Sequence, residues 1–269
     1  MPLALKEFLA NCQALPYIAC TMQRVVFLAL LCFAVFCATL ARADDDTAAS
    51  RVIPFDSMTV TNRALVCGVT DHYTLRREYP AEEIKARVEM FEYLLDHMEA
   101  CSALAQQAGL IKYRATRGAD GRVEADDHAG AKGYLLNVYS GAGKRIIYVE
   151  GVEHGLFDVR GRGVAVVEYH AKTDDMIEYT RTAFVKVDNV VLAALAQLFS
   201  VFLRGTVDRH FTHVIRNPVV LSEQVERGPQ QLLDRIGQMS ADDQQLLAPF
   251  VALIHSNAAA RLPSGNHSH

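Results

Sequence analysis

No catalytic signature stands out in this 269-residue sequence. It has no G-x-S-x-G nucleophile elbow, no H-E-x-x-H zinc helix, no phosphate-cradling G-x-x-x-x-G-K-S/T and no C-x-x-C pair. Those absences remove the usual sequence grounds for a serine hydrolase, a zinc hydrolase, a P-loop enzyme or a dithiol centre. Gly151-x-x-x-Gly155 and Gly161-x-Gly163 have no helix start behind them and read as turn glycines. Basic charge is short as well. The chain has 27 Lys+Arg against 31 Asp+Glu, a net charge of −4, which disfavours nucleic acid and anionic membrane surfaces, since both reward clustered Lys and Arg. Linkers, repeats and low-complexity blocks are absent too, so one domain with one sizeable core is expected.

The N-terminal region is the most explicit part of the sequence. Arg24 gives a positive start, Val25 to Leu40 an apolar run, and Ala41-Arg42-Ala43 a small-x-small site before Asp44-Asp45-Asp46. That order is the pattern of a cleavable signal peptide, and the apolar run falls short of the ~20 residues that span a bilayer. Leu31 and Phe36 precede Cys32 and Cys37, so the small residue of a lipoprotein site is missing and no lipid anchor is expected. Residues 1–21 precede a better initiator, Met22, and are set apart with the leader as a 1–43 extension. The expectation is a periplasmic or secreted protein with no transmembrane anchor after cleavage near Ala43. Cys12, Cys20, Cys32 and Cys37 leave with the leader. Cys67 and Cys101 remain, either as one disulfide in an oxidising compartment or as two buried thiols.

Residues 44–62 and 258–269 are polar or irregular and read as flexible ends. From Ala64 to Tyr79, Val, Thr, Tyr and Leu predict a long strand ending at Pro80. Pro80-Ala81-Glu82-Glu83 resembles a helix start, and apolar residues at Ile84, Val88, Phe91, Leu94, Leu95, Met98, Cys101 and Leu104 continue as one helix, or two with a kink, up to Gly109. Period-two patterning then predicts strands at 111–116, 133–139, 145–151, 164–171 and 177–187, separated by glycine- and aspartate-containing turns, with a less regular stretch at 124–130 and a short strand near 156–159. Asp188-Asn189 caps an almost wholly apolar helix from Val190 to Ile215 that Pro218 ends, with shorter helices behind it at 218–257.

Carried by VCGVTDHYTLRREYP, by FVKVDNVVLAALAQLF and by the turn-broken strands between them, the order strand, helix pair, antiparallel meander and long helix resembles the START-like helix-grip superfamily over about residues 63–217. The resemblance implies an α+β fold: a curved antiparallel sheet wrapped around a long C-terminal helix, enclosing an apolar cavity for a lipid or other hydrophobic molecule, with the extra C-terminal helices as a departure. It implies no cofactor. Three functions stay open: a carrier of a hydrophobic molecule, a cyclase- or isomerase-like enzyme, and a non-catalytic envelope protein with a filled core.

Candidate site residues are polar positions inside apolar strands together with the apolar last helix. Arg181 shares a face with Ile177, Tyr179, Ala183, Val185 and Val187, so it either enters the cavity or, with the opposite register, faces solvent. Inside, it needs a partner: Glu150 or Glu168 from neighbouring strands, or the head of a ligand. His170 is a candidate acid–base group; Tyr148, Tyr169 and Tyr179 supply hydroxyls; Leu195, Phe199 and Phe202 supply apolar lining. His210 and His213, at i and i+3, read as exposed helix histidines, and Asp126-Asp127-His128 as a solvated turn. No metal site is expected.

Overall fold

The computed structural model describes residues 46–128, 130–154, 158–188 and 200–260, with side chains at 49–128, 130–154, 158–188 and 214–258. Helix α1, Asp46–Val52, belongs to the N-terminal unit of the chain, and the residues from Ile53 onward form a second. One sheet holds seven strands: β1 (Leu75–Ile84), β2 (Ala115–Arg117), β3 (Val123–Asp126), β4 (Ala131–Gly141), β5 (Lys144–Glu153), β6 (Val159–Thr173) and β7 (Met176–Val187). Their order is β1-β7-β6-β5-β4-β3-β2, antiparallel throughout. Strands β2 to β7 are therefore a meander, and β1 joins it from outside by pairing with the last strand.

The meander follows from alternating β-branched residues and from its turns. At Ala142-Gly143 the chain reverses with Gly143 at φ 69°, and a Cβ there would lie 2.7 Å from the Tyr169 carbonyl oxygen. Only glycine fits. Gly151 and Gly161 are not turn residues, contrary to expectation. They pair across β5 and β6, with Gly133 of β4 beside them, and make a row across three strands. A Cβ on Gly133 would come 2.3 Å from the Glu150 carbonyl oxygen. Such a row lets adjacent backbones approach and the sheet bend sharply.

Residues 60–70 correct the expected first strand. They form helix α2, Val60–Thr70, with the Thr59 hydroxyl accepting from the Asn62 N–H at its start. The β-branched content suggested a strand, but Val66, Val69 and Thr70 are buried at i, i+3 and i+4, and packing overrode propensity. Glu82-Glu83 is likewise not a helix start. Strand β1 continues through it, with a bulge between Tyr79 and Glu82, and Pro80 is tolerated at this bulge of an edge strand because its missing N–H breaks no central ladder. The helix pair follows as α3 (Val88–Asp96) and α4 (Met98–Gln107), broken at His97. Helices also occupy much of 44–62, read as irregular from sequence.

Helix α5, Ser200–Arg227, runs through Pro218 instead of ending there. Proline costs a helix interior about 3 kcal/mol, which the full burial of Ile215 and Leu221 on either side offsets. Helices α6 (Pro229–Gly237) and α7 (Ala241–Ala260) follow. Among the described residues no helix is long and apolar enough to cross a membrane.

Two apolar cores share the α3–α4 pair. In one, Phe91 and Leu95 of α3 and Ile215 of α5 lie against Ile84, Ile147, Ala165, Val167, Tyr169, Ile177 and Tyr179 of the sheet's concave face. In the other, Met90 and Leu94 of α3 and Leu104 of α4 pack with Leu221, Val225, Leu232, Ile236, Leu247, Phe250 and Ile254. Helix α3 is thus apolar on two sides because it is covered on two sides. Helix α2 covers part of the convex face, contacting β4, β6 and β7; the Asn62 amide donates to the Val138 carbonyl at 2.8 Å and Lys186 Nζ to the Gly68 carbonyl at 2.8 Å.

Candidate functional site

Register decides which candidates meet. Val167 pairs with Arg181, and Tyr169 with Tyr179, so these four share the concave face. Glu150 pairs with Tyr134 and Arg162, Glu168 with Lys144 and Thr180, and His170 with Glu178. Those residues, with Tyr148, lie on the convex face. The expected pairing of Arg181 with Glu150 or Glu168 is therefore wrong, because side chains alternate and the two glutamates are out of phase with Arg181. A one-residue bulge at Val138, between Asn137 and Tyr139, shifts the register of β4 against β5, and no turn signal in the sequence announces it.

On the concave face Arg181 is only 8% exposed and forms an ion pair with Glu82 of β1. Tyr179 donates its hydroxyl to the other Glu82 oxygen at 2.7 Å. The guanidinium lies over the Tyr79 ring at 4.8 Å and the Tyr179 ring at 5.3 Å, within cation–π range. Among the described residues the buried Arg181 Nε has no hydrogen-bond partner. The β1 bulge places Glu82 here, a residue that its proline-acid context disguised as a helix start.

A second concave network is closed. Asp96, at the end of α3, accepts from Arg145 Nε at 2.8 Å and Nη2 at 2.9 Å, from the Asn137 amide at 2.8 Å and from Ser140 at 3.1 Å. Arg145 Nη1 also donates to the Gly141 carbonyl at 2.7 Å, and Glu92 lies 3.5 Å from Nη2. Tyr169 donates to Glu92 at 2.6 Å. Burial disfavours the Arg145 charge, yet the Asp96 bonds hold its pKa above the ordinary value. With its guanidinium nitrogens engaged, Arg145 braces α3 to β5 and β6. Glu92 and Asp96 stand at i and i+4 beside the apolar Phe91 and Leu95, a polar stripe that is readable in the sequence once the helix face is known.

The convex cluster is built differently. Tyr134 and Tyr148 donate at 2.7 and 2.8 Å to one oxygen of Glu150, and the Tyr134 bond foremost holds the Glu150 carboxyl below its usual range. An open groove of about 320 Å³ lies farther along this face, where Lys144 pairs with Glu168 at 2.9 Å and His170 approaches Glu178 at 3.5 Å. Glu168 and His170 are thus members of a solvent-facing charge ladder. Leu195 and Phe199 lie outside the described residues, as do the side chains of Phe202, His210 and His213. Cys67 and Cys101 are free thiols, and burial raises the Cys101 pKa. Asp126 pairs with Lys132 at 2.7 Å at the turn into β4. Among the described residues no group of His, Cys, Asp and Glu is arranged to hold a metal.

The buried phenols make a measurable prediction. Desolvation first, then bonds to Glu150, Glu92 and Glu82, raise the pKa values of Tyr148, Tyr169 and Tyr179. A raised folded pKa gives stability that is complete below the unfolded value near 10 and is lost as pH climbs toward the folded one. In a phenolate absorbance titration these three of the 10 tyrosines should stay protonated at about pH 11 while the fold persists, and ionise together as it melts. Smooth titration of all ten with the fold intact would contradict the buried positions.

The chain runs strand, helix pair, six-strand meander and long helix, with the first strand paired to the last. The fold is α+β, with the element order of a helix grip. Among solved structures the chain is similar to a conserved protein from Geobacillus kaustophilus, at 13% identity and TM-score 0.39 over 54% of this chain and 95% of that one. It is also similar to a START superfamily protein from Mycobacterium smegmatis, at 12% identity and TM-score 0.36 over 56% and 98%. A third similarity is to the ZhuI aromatase/cyclase of a Streptomyces, at 9% identity and TM-score 0.33 over 58% and 99%. The sequence matches no protein-family model and no curated protein.

Proposed function

We propose that this START-like chain is exported and holds a hydrophobic small molecule or lipid against the concave face of its sheet. The observation that carries the reading is the placement of the terminal helices. Buried residues of α6 and α7 pack with α3, α4 and the later part of α5, in a core that among the described residues contains no strand residue. They are therefore not the filling of the cup. On the concave face Leu75, Gly163 and Val185 are only half-buried and stand outside the Phe91 core, while Leu135 and Val149 are half-buried at its margin, and apolar surface of that kind is stabilised when a ligand covers it. Export rests on the Met22 to Ala43 pattern. Acid–base catalysis draws no support from Glu150, Glu168 or His170, which lie on the other face.

Purified protein should bind an uncharged fluorescent probe saturably at one site, and solvent extraction of freshly purified material should release a stoichiometric apolar compound. Expression with the full leader in a bacterial host should give a mature mass beginning near Asp44. Absence of binding across fatty acids, sterols and aromatic polyketides would remove the carrier reading; retention of the leader would remove export.

A further inference from the structure

We infer that the ligand carries a carboxylate head that binds Arg181, with Glu82 as the resident counter-ion it displaces; the inference rests on the binding reading above. A guanidinium 8% exposed with a buried, unpartnered Nε bears a desolvation cost that an acceptor would relieve. Its position on the concave face, beside Ala183 and the half-buried Leu75 and Val185, puts that acceptor where an apolar tail has a wall to lie on. The rings of Tyr79 and Tyr179 fix the plane of the guanidinium.

Glu82 takes only Nη2, and its second oxygen goes to the Tyr179 hydroxyl. It is 46% exposed, on a bulge of an edge strand, and can turn into water at little cost. A ligand carboxylate arriving along the face can then take Nε and Nη2 together, the side-on bidentate geometry that arginine favours, and inherit the Tyr179 hydroxyl. An alcohol or ester could satisfy Nε but could not replace the charge of Glu82, so it would leave the ion pair in place.

The test uses the full chain and displacement of N-phenyl-1-naphthylamine by palmitic acid, hexadecanol and methyl palmitate. The acid should bind about tenfold or more tighter than the other two. Arg181→Gln should abolish that preference, weakening the acid about tenfold more than the alcohol or ester, and Glu82→Gln should tighten the acid, because a neutral amide yields the guanidinium more readily. Equal affinities in the wild type, or weaker acid binding in Glu82→Gln, overturn the carboxylate assignment and leave the carrier reading intact. Failure of the dye and all three compounds to bind overturns both. Should Arg181→Gln not fold by circular dichroism, the wild-type series and the exposed Glu82→Gln variant decide.

Discussion

Replacing Phe91 with alanine should lower the unfolding free energy by about 3–5 kcal/mol, the usual cost of deleting a buried aromatic ring. Phe91 is fully buried. Its ring meets Tyr169 edge-on at 5.4 Å and Tyr179 at 5.8 Å, so the substitution loses two aromatic contacts besides the apolar area. The cavity left behind would sit under α3, held from the opposite side by the terminal helices and poorly able to collapse. Phe91→Leu should recover more than half of the loss. Urea titration followed by far-UV circular dichroism is the measurement, since the chain has no tryptophan to report. A loss below about 1 kcal/mol would mean that α3 is not seated on the sheet.

Asp96→Ala should cost a similar amount, about 3–5 kcal/mol, by a different route: it strips the main counter-charge from Arg145, whose side chain is 7% exposed. The paired variant Asp96→Ala with Arg145→Met should be less destabilised than the sum of the two single changes, because removing both charges leaves neither one buried alone. Additive losses would show that the pair does not act as a unit. Asp96→Asn, which keeps an acceptor but loses the charge, should fall between wild type and alanine in the same urea titrations.

The strands β4 to β7 were legible because their apolar residues alternate and their turns contain Gly143, Asp174 and Asp175, whereas the short β3 fell in a stretch read as irregular. The helix at 60–70 was not, since its β-branched Val and Thr content reads as strand propensity and the i, i+3, i+4 spacing of Val66, Val69 and Thr70 shows its meaning only once their burial is known. The phase of Arg181 with Tyr179 and Ala183 was readable from parity. The identity of its partner was not, because Glu82 comes from a strand nearly a hundred residues earlier, at a bulge that moves it by one position. The glycines of β5 and β6 were misassigned for a related reason: a close backbone approach between strands leaves the same residue type as a turn.

The pairing of the first strand with the last has a consequence for how the chain acquires its structure. Leu75 stands opposite Val185 and Ile84 opposite Ile177, so β1 has no strand partner until the whole meander has been synthesised. Loop closure over that separation is a large entropic demand made before any contact rewards it. Refolding should be correspondingly slow, with the β4–β5–β6 hairpins forming early and the β1 seam last. During synthesis β1 and the Phe91 face of α3 must wait, uncovered, for the arrival of β7.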